Sequence, residues 1–152
     1  MTNIHEIFNN TDLKINYPNS YIELFENNLK KHQENKALVY KNNLLTYKEL
    51  NEYGNKLAHY LKNLGVTKND RVGIYIDECI EMISAIIGIL KASASFVPMP
   101  DIFPTDRVND ITENAKIKIL LTKKNLIKNE ASNLKYVYLD EIVIDKYNNE
   151  NL

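Results

Sequence analysis

The chain has 152 residues, a formal net charge of −1, and 44% apolar and 26% charged residues, the composition of one ordinary globular domain. That balance argues against a nucleic-acid partner held by a basic excess, because the most basic stretch, Lys116 to Lys128, carries scattered lysines that fit a solvated face. No apolar run approaches the ~18 residues of a membrane span, the polar start MTNIHEIFNN is unlike a signal peptide, and the single cysteine, Cys79, excludes an intrachain disulfide and fits a reducing, cytoplasmic setting.

Residues 1–19 form an irregular, linker-like lead-in, residues 20–145 the folded part, and residues 146–152 a polar tail expected to fray. Ser20 followed by Glu23 predicts a capped amphipathic helix over 20–33, with Ile22, Phe25 and Leu29 at helical spacing. ALVYKNNLLTY predicts a hairpin turning at Asn42-Asn43. Thr46 and Glu49 form a second capping box, ahead of a buried stripe of Leu50, Tyr53, Leu57, Leu61 and Leu64, and Gly65 suits the left-handed residue that ends such a helix. RVGIYI is a strand buried on both faces. DECIEMISAIIGILKA is a helix capped by Asp77, apolar nearly all round and so sandwiched between layers. SFVPM, IKILLT and KYVYL are further strands, PTDRVNDITENA is a short polar helix starting at Pro104-Thr105, and KKNLIKNEASN is a short helix or turn. Strands and helices therefore alternate from residue 71 to 140, which predicts an α/β fold with a mainly parallel sheet flanked by helices, preceded by a helix–hairpin–helix elaboration. Pro98 and Pro100 remove ladder donors, so SFVPM belongs at a sheet edge.

Candidate chemistry is sparse. The four glycines, Gly54, Gly65, Gly73 and Gly88, are too far apart for a phosphate loop. His5, His32 and His59 have no metal-ligand spacing with one another or with Cys79, and His59 fits the rim of a packed helix. Cys79 stands near a helix start, yet Asp77, Glu78 and Glu81 disfavour its thiolate. Asp101 and Asp106 flank the prolines as a carboxylate pair, but capping and turn formation account for both.

Three stretches taken together resemble the adenylate-forming (AMP-binding) superfamily, and within it the amino-acid adenylation domain of nonribosomal peptide synthetases. LTYKELNEYGNKLAHYLKNLGVTKNDRVGI is similar to the family's first core motif and the helix after it, EMISAIIGILKASASFVPMPDIFPTDRV to its second core motif, and NDITENAKIKILLT to the helix and strand that follow. NNTDLKINYP resembles the linker leading from a condensation domain, which favours the peptide-synthetase branch over an acyl- or aryl-CoA ligase. The chain departs from the pattern at three places. Ser93-Ala94 replaces paired glycines, Pro100-Asp101 reverses the usual Asp-Pro, and Asn69 replaces a glycine. Positive φ would be costly at Ala94.

The resemblance implies an enzyme that joins a carboxylate to ATP with Mg²⁺, releases pyrophosphate, and passes the acyl group to the phosphopantetheine thiol of a carrier protein. In the family's order the phosphate loop, the ribose-binding acid, the substrate-pocket aspartate and the C-terminal catalytic lysine all fall after the position of Leu152. No catalytic, cofactor-binding or metal residue is therefore carried over, and the expectation is a catalytically incomplete N-terminal subdomain that binds no cofactor by itself. Alternatives are an interaction module or half of a split enzyme docking the remainder of the domain, a CoA-ligase fragment, and a small nucleotide-binding α/β protein.

Overall fold

The computed structural model describes residue 18 and residues 20–152, so the lead-in, including His5, lies outside the described residues except for Pro18. Ser20 accepts a hydrogen bond from the Glu23 amide at 3.0 Å and opens α1 (Tyr21–His32). β1 (Lys36–Tyr40) and β2 (Asn43–Thr46) form the hairpin. Its turn is Lys41-Asn42, one residue earlier than expected, because Tyr40 pairs with Asn43. Lys41 takes a positive φ of 54°. Strand register decides which residue turns here, over the local preference of asparagine for that region.

Both halves of the second capping box form: the Thr46 hydroxyl accepts from the Glu49 amide at 3.2 Å, and the Glu49 carboxylate accepts from the Thr46 amide at 2.8 Å. They start α2 (Tyr47–Asn63). Its end is a Schellman motif, with Val66 N–H donating to Leu61 O and Gly65 N–H to Lys62 O around Gly65 at φ 88°.

The same motif ends two more helices without glycine. After α3 (Ile80–Lys91), Ala94 N–H reaches Ile89 O and Ser93 N–H reaches Leu90 O, with Ser93 at φ 64°. After α4 (Thr105–Asn114), Lys116 fills that place at φ 53°. The glycine-favouring conformation thus falls on Ser93 and leaves Ala94 free of it, and Asn69 likewise adopts positive φ, 74°. A non-glycine residue in this region costs about 1–2 kcal/mol, partly offset by its smaller entropy loss on folding. Ser93→Gly is expected to stabilise the fold by roughly 1 kcal/mol, or about 2–4 °C in a chain of this size, readable by thermal unfolding.

β3 (Arg71–Ile76), β4 (Ser95–Pro100), β5 (Ile119–Thr122) and β6 (Lys135–Tyr138) form a parallel sheet in the order β4-β3-β5-β6. Alternation along the strands splits the core in two. Val72, Ile74, Ile76, Ile119, Leu121 and Val137 face Leu57, Leu61, Ala85 and Ile89 of α2 and α3. Tyr75, Met99 and Leu120 face Val108 of α4 on the other side. α3 is sandwiched as its sequence predicts, but it starts at Ile80 with Cys79 in the cap position and no side-chain cap. Asp77, the expected cap, bonds Lys123 instead. The segment after β5 makes only a short 3-10 turn, Lys124–Leu126. Residues near the end of the chain contact α2: Tyr147 packs edge-on against Tyr60 with ring centroids 5.0 Å apart, and residues 149–151 bond Asn51, Asn55 and His59.

Candidate functional site at the strand ends

Ligands of open parallel sheets sit beyond the C-terminal ends of the strands. Tyr75 and Thr122 are paired positions on β3 and β5, so the residues just past the two strand ends at Ile76 and Thr122, Asp77 and Lys123, emerge near each other. The Lys123 ammonium donates to Asp77 Oδ1 at 2.8 Å and lies 3.7 Å from Cys79 Sγ. The hydrogen bond from Lys123 holds the Asp77 carboxyl below its ordinary range. Partial burial pulls the Lys123 ammonium down, but the bond to Asp77 and the neighbouring Cys79 and Glu81 outweigh it and raise its pKa. Burial, then the hydrogen bond with Glu81, pushes the Cys79 thiol up. The result is a closed ion pair beside a protonated thiol, an arrangement with neither an activated nucleophile nor a free base. Thr122 turns inward as well, its hydroxyl donating to Tyr75 O at 2.7 Å.

Next to this pair runs an open groove of about 640 Å³ between Tyr40 of the hairpin, Ile76 to Glu78, Met82, and Pro98 to Ile102. Its far wall is the proline stretch, pinned from beneath by the Tyr75 hydroxyl, which lies 3.1 Å from both the Asp101 and Phe103 carbonyls. Of the two flanking carboxylates, Asp101 lines the groove. Asp106 stands in the first turn of α4, where the helix dipole favours its charge. The two described histidines are elsewhere: His59 Nε2 is 3.2 Å from Glu150 O, and His32 Nδ1 is 3.3 Å from the Asn35 amide group. Among the described residues no three His, Cys, Asp or Glu side chains are placed to hold a metal ion. Sequence reasoning missed the Asp77–Lys123 pair and the Tyr75 anchor. The signal for the first is the β3–β5 register, which appears only once the strand order is known.

The model of the AMP-binding enzyme family matches residues 25–151. The chain belongs to the AMP-binding enzyme family. It is 33% identical over 150 residues to gramicidin S synthase 2 of Brevibacillus brevis, covering 97% of this chain and 3% of that protein. It is 37% identical over 134 residues to tyrocidine synthase 3 of Brevibacillus parabrevis, covering 88% of this chain and 2% of that protein. Among solved structures it superposes on the nonribosomal peptide synthetase FmoA3 with a TM-score of 0.80 and 25% identity, over 86% of this chain and 14% of that one. The chain thus spans about 3% of the length of the first of these synthetases. The resemblance to amino-acid adenylation domains stands, and with it the α/β fold.

In this AMP-binding family chain the second core stretch builds a turn, an edge strand and a return. Leu90 to Arg107 ends α3 in its Schellman turn, supplies the edge strand, and returns over Tyr75 into α4. The strand ends do not fit a nucleotide triphosphate by themselves. Lys123 is already bound to Asp77, and the groove presents the carboxylates of Asp77, Glu78 and Asp101, which repel phosphate.

Proposed function

We propose that this chain is the N-terminal subdomain of an amino-acid-activating adenylation domain and that, as the 152-residue chain, it is scaffold without catalytic capacity. In the intact family a carboxylate oxygen attacks the α-phosphorus of ATP, pyrophosphate leaves, and the acyl-adenylate then acylates a carrier-protein thiol. A carrier partner is supported by the solved fusion NpsA-ThdA, an adenylation–PCP di-domain to which this chain is similar in fold. The observation that supports the incompleteness is the strand-end chemistry: the Lys123 ammonium and the Asp77 carboxylate neutralise each other at 2.8 Å, so this cation is not preorganised toward a developing charge. Pyrophosphate exchange with the isolated chain, ATP, Mg²⁺ and the common amino acids is expected to stay at the no-enzyme background. Robust exchange with any of them overturns this reading.

A second reading, half of a split adenylating enzyme that docks a separate chain, is favoured by the open edge at β4, where Phe96 is 36% and Ile102 83% exposed. The backbone there restricts how a partner can dock. Ser95 N–H donates inward to Asp70 O at 2.9 Å, so alternation turns Val97 and Met99 inward and Phe96, Pro98 and Pro100 outward. The rim offers carbonyls at three positions but an N–H only at Phe96. It therefore resists strand addition, and a partner would cover it with side-chain donors and apolar groups.

A further inference from the structure

The polar contacts between α1, the end of α3 and the last residues of the chain form one connected network. α1 buries none of its residues fully, so burial alone holds it weakly. One polar tie is Glu26, whose carboxylate accepts from the ammonium of Lys91, the last residue of α3, with the Phe25 ring 6.0 Å away. The Lys91 side chain is only 1% exposed. Its ammonium also donates, at 3.4 Å, to Asn151 Oδ1.

Asn151 Oδ1 is a shared acceptor, receiving Asn51 Nδ2 at 3.2 Å and Asn55 Nδ2 at 2.9 Å. Asn55 is wholly buried and donates to Asn149 O at 2.6 Å as well. Farther along the same face of α2, His59 lies 3.2 Å from Glu150 O and Lys56 pairs with Asp145 at 2.7 Å. One stripe of α2 therefore holds the terminal segment, and Lys91 joins that segment to α1. Among the described residues Asn51 Oδ1 and Asn55 Oδ1 are buried without a hydrogen-bond partner.

A buried ammonium is tolerated only while its acceptors are in place. Losing one acceptor raises the cost of losing the other, which is a coupling between the two segments that supply them. We propose that Lys91 is the hub of a latch that couples the docking of α1 to the docking of residues 145–151, so that release of either segment loosens the other. Glu26 is the α1 arm, Asn151 the terminal arm, and Asn51 and Asn55 the seat that aligns Asn151. A displacement of one segment is thereby felt in the other, while α4, on the far face of the sheet, stays outside the network.

The test is amide hydrogen exchange on the 152-residue chain in two exposed-side variants that keep the hub itself. Asn151→Ala is expected to speed exchange about tenfold in α1 as well as in 145–151, with α4 unchanged, since the long 3.4 Å contact to Lys91 is worth about as much as an ordinary hydrogen bond and tenfold corresponds to about 1.4 kcal/mol. Glu26→Gln is expected to do the converse, speeding exchange in 145–151. In a Lys91→Met background, Asn151→Ala should no longer reach α1. The latch is overturned if Asn151→Ala accelerates only the terminal segment, or if it accelerates α4 as much as α1, which is uniform destabilisation.

Discussion

Gly88→Ala is expected to lower the melting temperature by about 4–8 °C, a loss of about 2 kcal/mol in a chain of this size. Alanine is the better helix former by about 1 kcal/mol, so the sign rests on packing. A Cβ at Gly88 would stand 2.8 Å from Leu57 Cδ2 and 2.9 Å from both Leu57 Cβ and Cγ. Two of those atoms lie at the root of the side chain and cannot swing aside, so α2 and α3 must separate. Overpacking of that kind costs about 1–3 kcal/mol and here lies at the upper end. Leu57 is wholly buried, and Leu57→Ala alone is expected to cost about 3 kcal/mol through the cavity it leaves. The double variant should be more stable than the sum of the two losses by at least about 1 kcal/mol, because the new methyl occupies that cavity. Gly73 provides the contrast. The atoms a Cβ would meet there are the tips of Leu120 and Met99, at 2.6 and 3.0 Å, which can rotate away, so Gly73→Ala should stay within about 1 kcal/mol of the parent. Strict additivity of Gly88→Ala and Leu57→Ala in thermal or urea unfolding would sink the account.

This close crossing also shows what a sequence conveys and what it does not. Local grammar was legible: the Thr46–Glu49 capping box, the glycine at the end of α2, the alternation of strands and helices, and the edge position of SFVPM all follow from neighbours a few residues apart. The contact of Gly88 with Leu57 depends on two helices distant in sequence and has no local signature. The Asp77–Lys123 pair is hidden for the same reason, and Asp77 reads as the cap because aspartate before an apolar run usually is one. Composition alone does not place the tail. Tyr-Asn-Asn-Glu-Asn is polar, but its carbonyls and amides match a stripe of asparagine and histidine on α2. Composition measures the wish for water, and a buried polar seat can satisfy the same groups. At Ser93 the sequence pointed to the right place, and only the helix-end hydrogen bonds decided which of two residues turns left-handed.

Above pH 10 the fold is expected to lose stability in step with Tyr53. This side chain of α2 packs against the main core. Burial, then the nearby Glu81 and Cys79, pushes its phenol from 10.0 up to about 12. In the unfolded chain it titrates at its ordinary value. Between the two values the unfolded chain gives up a proton that the folded chain keeps, so the unfolded state binds fewer protons and stability falls as pH rises. The stabilisation is complete below pH 10 and gone once the folded phenol ionises near 12. At about 1.4 kcal/mol per unit, the loss attributable to this group approaches roughly 2–3 kcal/mol. Tyr138 is also pushed up to about 12, so the wild-type slope contains more than one phenol. The difference between wild type and Tyr53→Phe isolates the one. Urea unfolding at pH 8, 10 and 11 should show Tyr53→Phe close to wild type at the lowest pH and gaining on it as pH rises. Equal slopes for the two proteins would show that the Tyr53 phenol titrates alike in both states, and that its seat against α3 is open to water.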